Sequence, residues 1–187
     1  NRGVLAEHPN QLCREIIQLY AVAVLVNHQP LKLKDFLIME INFGIIGLGH
    51  IGMRHLDSIE AQPDANVIGI CDPHLNQTQV AGIPVYTDIT QLLAKHPDLD
   101  VVNICTPNGL HAPHAIQCIE AGMHVVIEKP MSLTKKDAEK VIFHALNRHV
   151  KVFCVMQNRY TANARYLKHL VTNNALGRIN EIDINLF

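Results

Sequence analysis

The chain has 187 residues, 48% of them hydrophobic, which is enough for one ordinary domain and part of a second. Sixteen basic and 17 acidic residues nearly cancel to a net charge of −1, and no basic block indicates a nucleic-acid partner. Five widely spaced cysteines match no zinc or redox motif and are typical of buried thiols in a reducing compartment, so we expect a cytoplasmic protein.

Residues 1–38 differ in character from the rest of the chain. Their apolar stretch from Leu19 to Val26 is too short to cross a bilayer, and the fit to a secretory signal is poor. Met39 stands directly before the first clear strand. We therefore expect no membrane association. Residues 1–38 are then either an extension or upstream artefact ahead of a natural start at Met39, or a helix docked on the body.

From Ile41 onward, apolar strand-like runs alternate with helical segments. The predicted strands are "INFGII", "ANVIGICD", "IPVYT", "DVVNICTP", "HVVIEKP" and "VKVFCVMQ". The predicted helices are "HIGMRHLDSIEA", "DITQLLAKH", "LHAPHAIQCIEAG" and "TKKDAEKVIFHALNRH". Thr87 or Asp88 is expected to cap the second helix, and Ser132 or Thr134 the fourth. Strands that are apolar throughout predict a parallel sheet covered on both faces, which is a doubly wound Rossmann-type α/β fold with its ligand crevice beyond the carboxyl ends of the strands.

The segment "GIIGLGHIG" carries the spacing G-x-G-x-x-G between the first strand and the first helix. Gly47 permits a tight turn, Gly49 lets a pyrophosphate approach the backbone, and Gly52 lets the helix pack close to the strand. The helix N-terminus, which begins with His50 and Ile51, offers N–H groups and positive partial charge to phosphates. The pattern predicts a dinucleotide-binding turn. An ordinary tight strand–helix turn is the alternative.

Asp72 ends the second strand about 20 residues after the last glycine, where a carboxylate should meet the adenosine ribose hydroxyls. A carboxylate there repels a 2′-phosphate, and no arginine follows in Pro73, His74 and Leu75. We therefore expect NAD as the cofactor, in preference to NADP.

Two further strand ends carry polar residues that the topology places beside the crevice. After the fourth strand, Pro107 turns the chain out of the sheet, so that Asn108 and His111 can face the crevice, although Asn108 could instead cap a helix. After the fifth strand, Lys129 could donate to a substrate oxygen or take a proton from a hydroxyl if burial leaves its amine uncharged. An ordinary strand-end lysine is the alternative. His111 and His114 lie three residues apart without a third ligand, so no metal site is expected.

The segments "GIIGLGHIGMRH", "ICDP", "CTPNGLHAPHAIQCIEAGMHVVIEKPMSLT" and "QNRY" together resemble the Gfo/Idh/MocA oxidoreductases. The resemblance implies a Rossmann domain, here residues 39–158, followed by an α/β domain with a large open sheet, of which residues 159–187 would be the incomplete beginning. It implies NAD(P)-dependent oxidation or reduction of sugars, inositols or related compounds, with Lys129 as the catalytic lysine. It also implies cofactor contacts from Gly47, Gly49, His50, Ile51, Gly52, Asp72, Thr106, Pro107, Asn108, His111, Glu128 and Lys129.

The C-terminal stretch is most similar to the branch of the family that oxidises UDP-N-acetylated sugars or uronates at the 3-position. That resemblance implies that Gln157, Asn158, Arg159 and Tyr160 line the sugar side, where Arg159 could pair with a carboxylate or diphosphate. The alternation in "GRINEIDINLF" predicts a strand with Ile182, Ile184 and Leu186 on its buried face.

Two functions follow from these observations. The first is an NAD-dependent oxidoreductase that acts on a sugar or nucleotide-sugar hydroxyl by hydride transfer, and that is a homo-oligomer at full length. The second is a truncated, non-catalytic NAD-binding protein or redox sensor that uses the same fold.

Overall fold

A computed structural model describes residues 40–184 of the chain. These residues divide into two units, and the division falls between Val155 and Met156. The expected extension over residues 1–38 and the last three residues lie outside the described part. None of the helices within residues 40–184 combines the length and the hydropathy needed to cross a membrane.

The first unit is built on one seven-stranded sheet in the order β3-β4-β2-β1-β5-β6-β7. Every neighbouring pair is parallel except β3 and β4, which are antiparallel at one edge. The strands are β1 (Ile41–Ile46), β2 (Ala65–Cys71), β3 (Gln79–Val80), β4 (Ile83–Tyr86), β5 (Val101–Ile104), β6 (His124–Ile127) and β7 (Val152–Cys154). The doubly wound parallel fold expected from the sequence is confirmed, while the two-residue strand β3 is an addition to it.

Strand β1 lies at the centre of the sheet. It pairs with β2 from Ile41 opposite Ala65, and with β5 from Phe43 opposite Val101. The strand order changes direction here, because β2 and β4 lie on one side of β1 and β5 to β7 on the other. Such a switch point opens a crevice at the carboxyl ends of the two strands that flank it, here β1 and β5.

Four helices cover the sheet: α1 (His50–Glu60), α2 (Ile89–Lys95), α3 (His111–Glu120) and α4 (Lys135–Arg148). Of the residues proposed as caps, Asp88 accepts a hydrogen bond from the Thr90 amide at 2.7 Å, and Thr134 accepts one from the Asp137 amide at 3.1 Å. Gly122 follows α3 with φ +88°, a conformation that favours glycine and ends the helix.

Successive residues of the central strands point to opposite faces and enter two separate cores. Ile45 and Val101 pack with Leu56 of α1, whereas their neighbours Ile46 and Val102 pack in the other cluster, with residues of α2, α3 and α4. This division is the one expected of buried parallel strands covered by helices on both sides.

Two of the cysteines lie inside the core. Cys71 ends β2 and Cys118 faces inward from α3, and both are buried. Burial raises the pKa of each thiol to about 12. Neither side chain is therefore a thiolate near neutral pH, which agrees with a packing role.

The second unit contains a 3₁₀ turn at Gln157–Tyr160 and the helix α5 (Ala162–Thr172), which Thr161 caps through the Ala164 amide at 3.3 Å. The strand predicted over "GRINEIDINLF" is wrong for its described part. Residues 178–184 form no strand, and Ile182 and Ile184 are 72% and 77% exposed. A strand needs a neighbour for its backbone hydrogen bonds, and this unit contains none within residues 156–184. Residues 185–187 lie outside the described part.

Gly52 offers a direct test of the packing between α1 and β1. A Cβ atom at position 52 would lie 2.0 Å from the carbonyl oxygen of Gly47, while one at Gly49 would meet nothing within 4 Å. We expect Gly52→Ala to lower the free energy of unfolding by about 3 kcal/mol or more, because backbone must move to admit the methyl group. The control Gly49→Ala should cost less than about 1 kcal/mol. Denaturant unfolding of both variants measures the difference, and equal stabilities would contradict this packing.

Candidate active site

The glycine turn lies at the carboxyl end of β1, held between β2 and β5. The Gly47 amide donates to the carbonyl of Cys71 at 2.8 Å, and the Cys105 amide donates to the carbonyl of Ile46 at 2.8 Å. Gly47 has φ +86°, and a Cβ there would lie 2.9 Å from the carbonyl oxygen of Cys105. The fold itself therefore requires glycine at positions 47 and 52.

Gly49 is different, because nothing within residues 40–184 requires a glycine there. Its φ of −72° is available to any residue, and the space around its α-carbon is open. Gly49 is also the N-cap of α1 and gives no side-chain hydrogen bond to the first turn, which contains no acidic residue. The start of α1 at His50 and Ile51 thus presents a positive helix end to open space, and this fits the diphosphate of a dinucleotide.

The carboxylate of Asp72 lies directly beside this turn. Its Oδ2 accepts a hydrogen bond from the Leu48 amide at 2.8 Å, and its Oδ1 accepts one from the His74 amide at 2.9 Å. Each carboxylate oxygen can accept a second hydrogen bond, so the group can also receive ribose hydroxyls. The structure therefore brings Asp72 and the glycine turn together, as the spacing predicted.

The loop after β5 places its residues in two different environments. Thr106 is half-buried, whereas Pro107 and Asn108 are exposed, with Asn108 opening a 3₁₀ turn that ends at Leu110. The Asn108 side chain caps neither this turn nor α3, so the alternative interpretation of Asn108 as a cap is wrong.

His111 is almost completely buried rather than open to the crevice. Its ring lies between two backbone carbonyl oxygens, with Nδ1 2.7 Å from that of Pro130 and Nε2 2.7 Å from that of Thr106. The expectation that His111 faces the crevice is therefore wrong, because its ring joins the loops that follow β5 and β6. A direct contact between His111 and a cofactor stays a prediction.

His114, three residues later on α3, is also engaged with the protein. Its Nδ1 lies 3.2 Å from the hydroxyl oxygen of Thr106. Burial, and then the charge of His111, lower the pKa of His114 below its ordinary value. Residues 40–184 contain no cluster of three or more histidine, cysteine, aspartate or glutamate side chains that could hold a metal ion.

Glu128 and Lys129 follow β6 on the crevice side of the sheet. The Glu128 amide continues the sheet by donating to the carbonyl of Ile104 at 3.0 Å. Its buried side chain accepts from two directions, at Oε1 from His55 Nε2 at 3.1 Å and at Oε2 from the Lys129 amide at 3.0 Å. Lys129 itself is exposed, so residues 40–184 alone do not bury its amine.

The charge of Glu128 reflects a balance between burial and hydrogen bonding. Burial acts to raise the pKa of this carboxyl, but the hydrogen bond and charge of His55 and the Lys129 amide outweigh it, so the pKa is lowered below its ordinary value. Glu128 is therefore a buried carboxylate whose negative charge the site stabilises.

His55 and Asn103 are site residues that the sequence analysis missed. His55 projects from α1 into the core, where Asn103 of β5 lies 2.9 Å from its Nδ1. The sequence did contain a signal for both residues. His55 is polar at an inward-facing position of α1, and Asn103 is polar inside the run "VVNI", and at both positions the pattern predicts an apolar residue. A pattern alone does not pair two such residues 48 positions apart.

The residues expected on the sugar side lie in the second unit. Gln157, Asn158, Arg159 and Tyr160 form its 3₁₀ turn, where the Arg159 amide donates to the carbonyl of Met156 at 3.0 Å. Asn158 and Arg159 are exposed. Their role toward a substrate stays a prediction.

A parallel sheet with a glycine turn, an uncapped helix start and a strand-end carboxylate at its switch point defines a dinucleotide-binding Rossmann domain. Residues 41–156 match the Gfo/Idh/MocA family, an oxidoreductase family with an NAD-binding Rossmann fold. The chain belongs to this family.

Similar proteins include named sugar and inositol dehydrogenases. The chain is 30% identical to the myo-inositol 2-dehydrogenase of Thermotoga maritima and 31% identical to the D-glucoside 3-dehydrogenase of Escherichia coli, in each case over 72% of this chain. Among solved structures, it resembles the WlbA dehydrogenase of Chromobacterium violaceum in complex with NADH and UDP-GlcNAcA. That similarity has a TM-score of 0.70 and 33% identity, and it covers 74% of this chain and 41% of the other. The chain spans 42% and 40% of the lengths of the two dehydrogenases.

Glu128→Gln should change how stability depends on pH. Because the pKa of Glu128 is depressed in the folded state, its contribution is present above the unfolded value of about 4.5 and is lost as the pH falls through the lower folded value. The stability difference between parent and Glu128→Gln should therefore be largest near neutral pH and shrink below pH 4.5. Urea unfolding across this range measures it, with Glu60→Gln at the exposed end of α1 as the control. A stability difference between parent and Glu128→Gln that does not change with pH would contradict a charged Glu128 carboxylate.

Proposed function

We propose that this chain is the cofactor-binding part of an NAD-dependent oxidoreductase that acts on a sugar or nucleotide-sugar hydroxyl. The observation that carries the proposal is the position of Lys129, which follows β6 next to the switch-point crevice with its neighbour Glu128 held in the core. A lysine there can meet the reacting end of a dinucleotide whose diphosphate occupies the glycine turn.

The cofactor would be held by groups that are already in place. The backbone of Gly47 to Gly52 and the start of α1 would bind the diphosphate, and Asp72 would accept the ribose hydroxyls. The loop that follows β5, on the other side of the switch point, contains Thr106, Pro107 and Asn108. When bound, NAD supplies the acceptor for a hydride from the substrate carbon.

The chain's own contribution to the reaction is the handling of a proton. As the substrate C–H bond is lost with its electron pair, the hydroxyl proton must leave so that a carbonyl can form. Lys129 is exposed within residues 40–184, so this step requires that bound cofactor, substrate and the rest of the full-length protein cover it. In its uncharged amine form, Lys129 Nζ would then take this proton, directly or through a water molecule, and would return it when the reaction runs in the opposite direction. Lys129 is therefore proposed as the catalytic residue.

The proposed substrate class rests on similarity to named proteins and on Arg159 in the second unit. Two relatives are named as dehydrogenases of an inositol and a glucoside, and a structural neighbour was solved with a UDP-sugar acid. The guanidinium of Arg159 could pair with a carboxylate or diphosphate of such a substrate. A homo-oligomer at full length and a cytoplasmic location stay predictions.

Asp72 should determine the preference for NADH over NADPH. The Asp72 carboxylate would repel a 2′-phosphate, so we expect the parent chain to bind NADH at least about tenfold more tightly. Asp72→Asn keeps a side-chain oxygen as an acceptor but removes the charge, and it should narrow this ratio. Asp72→Ser should narrow the affinity ratio as well, and it should also weaken the hydrogen bonds that the Leu48 and His74 amides donate to residue 72. Fluorescence titration with both cofactors measures the ratio, and equal affinities in the parent would overturn the assignment.

Lys129→Ala tests the proposed reaction in a version of the chain extended to the full length of its relatives. It should lower kcat by about 100-fold or more, the scale of a positioned acid–base group, while the Kd for NADH changes little. Lys135→Ala, at the exposed start of α4, is the control for loss of a lysine. Assays use sugars, inositols and UDP-sugar acids with NAD. Cofactor binding without turnover on any of them would favour the non-catalytic alternative.

A further inference from the structure

Three polar side chains form a continuous line through the core of the first unit. Asn103 lies on β5, His55 on α1 and Glu128 at the end of β6, and they are 4%, 8% and 8% exposed. Burying such groups without partners is costly, so a line of this kind specifies a geometry that an apolar core would leave open.

The hydrogen bonds of this line have a direction. Nδ2 of Asn103 lies 2.9 Å from Nδ1 of His55, and Nε2 of His55 donates a hydrogen bond to Oε1 of Glu128 at 3.1 Å. The other carboxylate oxygen, Oε2, accepts from the Lys129 amide at 3.0 Å. One carboxylate thus joins α1 to the backbone of Lys129.

The same helix begins at the glycine turn. His55 follows Gly52 by less than one helical turn, and Gly52 packs so tightly on the carbonyl of Gly47 that α1 cannot shift without the turn. A displacement of the turn would therefore also displace the start of α1, which carries His55 three residues after Gly52.

The residue on the far side of Lys129 is anchored as well. The carbonyl of Pro130 lies 2.7 Å from the ring of His111, and that ring also contacts the carbonyl of Thr106 at 2.7 Å. Lys129 is exposed, but both of its neighbours are tied to buried histidines. Its backbone position is set from two sides. The side of Glu128 reaches the turn through His55 and α1, and the side of His111 reaches it through Thr106, which lies beside Gly47.

We propose that His55 and Asn103 are positioning residues for Lys129, and that through Glu128 they couple a phosphate group bound at the start of α1 to the placement of Lys129. The role of this placement in turnover rests on the proposed function above. The coupling itself does not, because it is a property of the hydrogen-bonded line and exists whether or not Lys129 moves a proton.

Adenosine diphosphate is the probe that isolates this coupling, because it carries the two phosphates but has no nicotinamide that could touch Lys129 directly. In the 187-residue chain labelled with ¹⁵N, we expect ADP to shift the Lys129 amide resonance and to slow its hydrogen exchange. In His55→Leu and Asn103→Leu, ADP should still shift the amides of His50 and Ile51, but the response at Lys129 should fall at least threefold.

The matched control is His124→Gln. His124 occupies the opposite end of the same strand β6, is half-buried and accepts a hydrogen bond from the Lys151 amide at 2.9 Å. It should leave the Lys129 response to ADP unchanged. His55→Gln keeps an N–H donor that can reach Glu128, and it should restore part of the response lost in His55→Leu. If His55→Leu does not fold, His55→Gln and Asn103→Leu carry the test.

Kinetics of the full-length version provide an independent readout. His55→Leu and Asn103→Leu should lower kcat between about 10- and 100-fold, the scale of a small misplacement of a reacting group, with less than about threefold change in KM and in the Kd for NADH. His124→Gln should leave all three unchanged.

Each outcome decides between the two proposals. A Lys129 amide that does not respond to ADP in the parent, or that responds equally in His55→Leu, overturns the coupling even if Lys129→Ala is inactive. A response lost in His55→Leu together with full activity in Lys129→Ala supports the coupling and overturns the catalytic role of Lys129.

Discussion

The contact between Gly52 and the carbonyl oxygen of Gly47 is the constraint on which the rest of the site depends. With no Cβ at position 52, α1 starts directly above the end of β1, at a separation that any other side chain would prevent. This places the positive end of the helix at the crevice. It also fixes how far His55 reaches across the core, so the distance from His55 to Glu128 is set by the same glycine.

Convergence of the other site residues follows from the register of the parallel strands. Ile46 is level with Cys71 on one side and Ile104 on the other, and Ile104 is level with Ile127. The residue after each strand therefore falls on one edge of the sheet, whatever its distance along the chain. Asp72 and Glu128 follow β2 and β6 in this way, which is why a count of strand ends could place both at the crevice.

The sequence predicted what depends on local pattern and missed what depends on pairing across the fold. Apolar runs located the six parallel strands, and the glycine spacing located the turn. Strand β3 has only two residues, Gln79 and Val80, and exists because β4 is beside it. The same dependence on a neighbouring strand explains the wrong strand prediction at residues 178–184. The pattern alternates there, but residues 156–184 contain no other strand that could pair with it. The contact between His55 and Asn103 was missed because each is an exception within its own element.

The central position of β1 also constrains when the chain can fold. Among the described strands β1 leaves the ribosome first. One of its edges pairs with β2, but the other has no partner until β5, which begins at Val101, has been synthesised. More than fifty residues must be synthesised before that second edge is covered, so the middle of the sheet closes late and through contacts distant in sequence. During that interval the edge of β1 that pairs with β5 has no strand partner, and an unpaired edge of this kind is where a nascent chain can associate wrongly.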